Sequence, residues 1–130
     1  MITDKNIKTF VRQILGCVCP DEVFHYIDCQ HNSKLSGDIL LSSKINIGNR
    51  LLIYVVEMNS PDLIKRKLPI LIQTGKKERD SSGFNRFRLA IVTDKVDQLK
   101  HVAGSVFENL NYKDEKIHLH IIRKNEIALL

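Results

Sequence analysis

The chain reads as a single α/β domain over residues 1–130, a sandwich built on a mixed sheet of four to five strands with helices packed on it. Three observations predict this class. The C-terminal half alternates strand and helix patterns in the order β-α-β-α-β, and such crossovers give parallel, nearly always right-handed units. Gly48-Asn49 lies between two strand-like runs and reads as a hairpin turn that adds an antiparallel edge. A chain of 130 residues also makes one domain without a disulfide or a metal, burying about two thirds of its unfolded surface.

Ile7, Phe10, Val11, Ile14 and Leu15 form one apolar stripe on a helix from about Asp4 to Leu15, capped by Thr3 or Asp4. Gly16 stops it. Pro20 opens a short second helix, with Asp21 and Glu22 in its first turn and Val23, Phe24 and Ile27 turned to the core. An extended run over Phe24 to Cys29 competes with that reading, because the segment is too short for periodicity to decide. Gln30 to Ser43, with Asn32, Ser33, Ser36 and Gly37, reads as a polar loop anchored by Ile39, Leu40 and Leu41. Ile45 and Ile47 alternate with polar residues ahead of the hairpin. Leu51 to Val56 is a continuous apolar run, as in a central strand covered on both faces.

Ser60-Pro61-Asp62 starts a helix whose buried side is Ile64, Leu68 and Leu71, and which Pro69 should kink or end. Gly75 to Gly83 reads as a charged loop. Phe84 to Thr93 is a strand with Phe87, Leu89 and Ile91 on one face and Arg86 and Arg88 on the other. Asp94 caps a helix bearing Val96, Leu99, Val102, Ala103, Val106, Phe107 and Leu110 on one side. Lys116 to Arg123 is the last strand, with Ile117, Leu119 and Ile121 opposite His118 and His120.

Apolar residues make up 43% and charged residues 27%, which excludes disordered, collagen-like and coiled-coil classes. The polar N-terminus has no secretory apolar region, and no run approaches the roughly 18 residues a membrane span needs. A cytoplasmic protein with reduced thiols is therefore expected. Three cysteines, an odd number, argue against a purely structural disulfide framework.

The net charge is +5 and is concentrated. Lys65, Arg66, Lys67, Lys76, Lys77, Arg79, Arg86 and Arg88 are opposed within that stretch only by Glu78 and Asp80. Such a segment suits nucleic acid, a phosphorylated ligand or an acidic protein, with Lys76, Lys77, Arg79, Arg86 and Arg88 as anion-binding candidates; otherwise it is a solvated basic face. Gly75-Lys76-Lys77 is no Walker loop, and no G-x-G-x-x-G occurs. The helix starts at Ser60 and Asp94 fall at the carboxyl edge of the sheet, where open α/β folds bind ligands, although Asp62 and Asp94 occupy those positions themselves.

The segment with chemistry in its spacing is Leu15-Gly16-Cys17-Val18-Cys19-Pro20-Asp21-Glu22-Val23-Phe24. Cys19, at the second helix start, reads as an attacking thiolate with Cys17 as its resolving partner, although Asp21 and Glu22 oppose thiolate formation. Cys17, Cys19, Cys29 and His31 also form a soft four-ligand set for tetrahedral zinc or an iron–sulfur cluster. Packing of small buried thiols is the third reading. The segment resembles the opening of small, uncharacterised prokaryotic proteins carrying L-G-C-x-C-P-x-E-V-F. The resemblance covers about ten residues, implies a single-domain prokaryotic protein, and carries no activity to transfer.

His118 and His120 share a strand face and could reach one metal, but Arg86 and Arg88 on the same side would repel a cation. No G-x-S-x-G, H-E-x-x-H or Cys/His/Asp triad is present. The sequence thus leads to a thiol-based redox, sulfur or metal-binding function at Cys17-Val18-Cys19-Pro20. The alternative is a non-enzymatic module using Lys65 to Arg88 against an anionic partner. A homodimer is permitted by the odd cysteine and the continuous apolar strand.

Overall fold

The computed structural model describes residues 4–35, 39–111 and 113–127. The helix cap assigned to Thr3 or the Asp4 side chain, and Ser36 and Gly37 of the polar stretch, lie outside the described residues. The elements are α1 (Asp4–Thr9), a π-helical turn (Phe10–Ile14), a short 3-10 helix (Asp21–His25), and strands β1 (Ile27–Lys34), β2 (Leu40–Ile47) and β3 (Leu51–Glu57). They continue with α2 (Pro61–Ser82), β4 (Arg86–Thr93), α3 (Val96–Glu108), β5 (Ile117–Arg123) and a final 3-10 turn (Lys124–Ile127).

The five strands lie in the order β1-β2-β3-β4-β5. β1/β2 and β2/β3 are antiparallel; β3/β4 and β4/β5 are parallel. Two successive crossovers advancing in the same direction leave both helices on one face. α2 and α3 indeed share a core with Tyr54, Phe87, Leu89 and Ile91. The opposite face, which the crossovers do not cover, packs under Ile7, Phe10, Val11, Leu15 and Phe24 from the N-terminal segment. The sheet is therefore covered on both sides, which explains the unbroken apolar run of β3. The hairpin forms as expected. Gly48 and Asn49 both have positive φ, +60° and +56°, the signature of a type I′ turn.

Several expectations are corrected. Gln30 to Ser43 is not a loop: its described residues belong largely to β1 and β2, paired from Ile27↔Ile47 to Lys34↔Leu40. β1 is an edge strand with mostly exposed or half-buried side chains, so its alternation is polar and carries no apolar signal. The segment after Pro20 makes one 3-10 turn and then extends from Ile27, in line with the competing extended reading. Pro69 does not end α2, because it removes a single hydrogen bond while Leu68, Leu71 and Ile72 anchor both sides of it. Gly75 to Ser82 is helix, closed by Gly83 at φ +80°. Gly75 fits there because a methyl group would run into the Phe87 ring. Asp94 does not cap α3: Lys95 occupies that position, and the Asp94 carboxylate pairs with Lys124 at 3.3 Å.

Among the described residues no helix is long and apolar enough to cross a membrane.

Candidate functional site

The Cys17–Cys19 segment is held from three directions. The π-helical turn widens the end of the first helix, so that Leu15 N donates to Phe10 O at 3.1 Å and Cys17 N to Val11 O at 3.1 Å. Gly16, at φ +69°, then reverses the chain. From the other side Arg12 donates to Cys19 O at 2.7 Å. Arg12 and Lys8 both bridge to Asp21, at 2.8 and 3.0 Å, and lie over the Phe24 ring. From below, Gly48 N donates to Tyr26 O at 2.7 Å, and a methyl group at Gly48 would strike the Val23 carbonyl. The hairpin turn is thus the seat of residues 23–26.

Cys17 and Cys19 are joined as a disulfide, with Cα atoms 5.4 Å apart. Cys17 is buried, Cys19 is half-buried, and the intervening Val18 is fully exposed. Cys19 is not at a helix cap. Pro20 holds that place, and a single 3-10 turn follows, so an N-terminal dipole contributes little. The opposition expected from Asp21 is reduced, since hydrogen bonds from Lys8 and then Arg12 hold its carboxylate below the usual range and offset its charge.

The disulfide lines a cleft of about 550 Å³ together with Glu22, Arg50, Asn85, Arg86, Arg88 and His118. The cleft lies at the amino ends of β4 and β5 beside the hairpin turn, and not at the carboxyl edge marked by Ser60 and Asp94. Arg50 and Arg86 are exposed, and neither guanidinium meets a carboxylate among the described residues. Arg88 is only 8% exposed. Its Nη1 donates to Leu15 O at 2.9 Å and lies 2.9 Å from His120 Nε2. Its Nε is buried without a partner, as is Nε2 of His118.

The parity expected for the strands is present: Arg88 pairs with His118 in register, and Arg86, Arg88, His118 and His120 share the face that carries the thiol pair. Burial, then Arg88 and His118, push the His120 imidazole down to about 4. Burial, then Arg88 and Arg86, also lower His118. Both rings therefore favour the neutral form at neutral pH, and burial together with Arg86 lowers Arg88 as well.

The four-ligand metal set is not assembled. Cys17 and Cys19 bond to each other, while the free thiol Cys29 sits on β1 with its Sγ 3.7 Å from His31 Nε2. His31 Nδ1 in turn lies 3.1 Å from Ser43 Oγ. Among the described residues no group of three or more His, Cys, Asp or Glu side chains is gathered as a metal ion requires. Burial, then Asp28, raise the Cys29 thiol, which leaves it protonated and unreactive at neutral pH.

The basic segment is likewise divided. Lys76, Lys77 and Arg79 are on α2, over one face of the sheet, whereas Arg86 and Arg88 project to the other. Arg79 is a structural group, held by Asp114 at 2.6 and 2.9 Å and by Asp80 at 2.9 and 3.1 Å. Lys76 pairs with Asp80 at 3.1 Å. Sequence reasoning did not select Arg50, Asn85 or His118 as partners of the cysteines. The signal available was the hairpin position of Arg50 and the shared parity of Arg88 and His118.

No family model, curated protein or solved structure matches the chain.

Proposed function

We propose that this protein carries out thiol–disulfide exchange at Cys17 and Cys19. The observation that carries the reading is the disulfide itself, which forms part of the wall of a small-molecule-sized cleft beside three guanidinium groups. Positive charge next to a cysteine favours its thiolate, the form that attacks and leaves in exchange.

In the oxidised protein Cys19 is the more exposed of the two cysteines. A partner thiolate attacks Cys19 Sγ, a mixed disulfide forms, and the electron pair of the broken bond leaves on Cys17 Sγ. A second partner thiol, deprotonated, then attacks its counterpart in the mixed disulfide and releases Cys19 as thiolate. The protein gains two electrons and two protons, and the partner leaves as its disulfide. In reverse, Cys19 attacks and Cys17 resolves, the roles expected from their spacing. A metal shared by Cys17, Cys19, Cys29 and His31 is not proposed, since it needs the pair reduced and Cys29 brought to it.

Equilibration of the full chain in graded thiol/disulfide buffers, followed by alkylation and mass mapping, tests this. One two-electron couple confined to Cys17 and Cys19 is expected, with reduction faster than for the same pair in the unfolded chain. Cys19→Ser should abolish the couple. A pair that never oxidises, or that reacts no faster than in the unfolded chain, would overturn the reading.

A further inference from the structure

Two arginines among the described residues are almost fully buried, and they are treated differently. Arg79, 6% exposed, faces two carboxylates, Asp114 and Asp80. Arg88, 8% exposed, faces none among the described residues: its described hydrogen bonds run through Nη1 to a carbonyl and a neutral imidazole. Taking a guanidinium out of water is unfavourable unless a counter-charge and hydrogen bonds offset it, and buried charges are ordinarily paired. A carbonyl and an imidazole nitrogen satisfy one nitrogen but supply no negative charge. The Nε–H of Arg88 and Nε2 of the neighbouring His118 remain without partners.

Both residues line the cleft, and both orphaned atoms lie on the side chains that form it. Arg50 and Arg86 add two exposed guanidiniums over the same space, and Glu22 is the single carboxylate among the lining residues. The Nε edge of a guanidinium matches two oxygens of a carboxylate or phosphate side-on. The cleft volume, about 550 Å³, is that of a site for a small organic molecule.

We infer that the cleft binds the oxyanion group, carboxylate or phosphate, of a small molecule, with Arg88 Nε and His118 Nε2 as the buried partners and Arg50 and Arg86 closing over it. This deepens the exchange reading, and in its link to Cys19 rests on it: the thiol partner is anionic, and its charged end is held while its sulfur meets the disulfide.

Two measurements separate the inference from the reading beneath it. The first uses Cys17→Ser/Cys19→Ser protein, which has no exchange chemistry, titrated with acetate and with inorganic phosphate at constant ionic strength and followed by amide and imidazole NMR. Saturable shifts at His118 and Arg88 are expected, with affinity at least tenfold weaker in Arg88→Met. Arg50→Met, at an exposed position, gives a weaker loss and covers the case in which Arg88→Met does not fold. The stronger of the two anions identifies which oxyanion the site is built for. Absence of saturable shifts, or affinity unchanged in the folded variants, overturns the inference whatever the cysteines do. The second compares reduction of the wild-type disulfide by 3-mercaptopropionate and by neutral 2-mercaptoethanol, corrected for thiol pKa. At least a tenfold preference for the anionic thiol, erased by competing phosphate and reduced by Arg50→Met, is expected. Equal rates would detach the anion site from Cys19, and slow reduction by both would overturn the exchange reading while leaving the first measurement standing.

Discussion

Two glycines inside helices should respond to alanine with opposite signs. Gly75 in α2 and Gly104 in α3 both have helical backbone, where alanine is favoured by about 1 kcal/mol through lost chain entropy in the unfolded state. A methyl group at Gly104 would meet nothing within 4 Å, so Gly104→Ala should stabilise the protein by about 0.5–1 kcal/mol. At Gly75 the methyl would overlap three carbons of the Phe87 ring. That ring cannot turn aside. It is fully buried and stands edge-on to Tyr54 with centroids 4.8 Å apart. Overpacking of this kind costs about 1–3 kcal/mol, and three overlapping atoms put it at the upper end. Net of the helix gain, Gly75→Ala should destabilise by about 2 kcal/mol, or roughly 8 °C in Tm at about 4 °C per kcal/mol. Urea denaturation followed by far-UV circular dichroism reads both variants against wild type. Phe87→Leu should absorb part of the penalty, leaving a favourable coupling of about 1 kcal/mol in the double-mutant cycle. A Gly75→Ala protein as stable as wild type, or a cycle with no coupling, would refute the reasoning that backbone–ring contact selects glycine here.

His120 should titrate near pH 4 by NMR, well below an unfolded imidazole. Its contribution to stability is then fully present above about pH 6.5 and is lost as pH falls toward 4, because the unfolded chain takes up the proton first; a ring titrating at 6.5 would contradict the burial described. Ser60 Oγ accepts from Leu63 N at 3.1 Å, so Ser60→Ala should cost about 1 kcal/mol and Ser60→Gly only a few tenths, read from denaturation midpoints. Equal losses would mean that the hydroxyl is not the cap.

The parallel half of the fold was legible because β3, β4 and β5 each carry enough β-branched and apolar residues to show their faces. Leu89 and Ile91 against Arg86 and Arg88, and Ile117 and Ile121 against His118 and His120, were assigned to the sides they occupy. β1 was not legible, since Gln30, His31 and Asn32 on an exposed edge bury too little to leave a pattern. The second half of α2 was hidden for another reason. Gly75 followed by Lys76, Lys77, Glu78, Arg79 and Asp80 has the composition of a loop, yet most of these side chains are tied down in the folded chain. Lys76 pairs with Asp80, Glu78 takes the Tyr54 hydroxyl and Lys44, and Arg79 reaches Asp114. The distant partners among these lie on β2, β3 and the segment before β5, beyond any local window. The cysteine pair was visible from its spacing, but its arginines were not, because only the folded register brings Arg88 under Leu15.

That last contact has a consequence for synthesis. The strands pair with their neighbours in chain order, so the sheet grows without waiting, whereas the cysteine segment rests on Arg88, 73 residues beyond Leu15. At about 5–20 residues per second the two cysteines leave the ribosome roughly 4–15 s before the strand that seats them. During that interval Cys29 also emerges and competes for a sulfur. The pair is complete ten residues before Cys29 emerges, so the native partners meet first, although a ring so short is stiff and gains nothing from loop-length statistics.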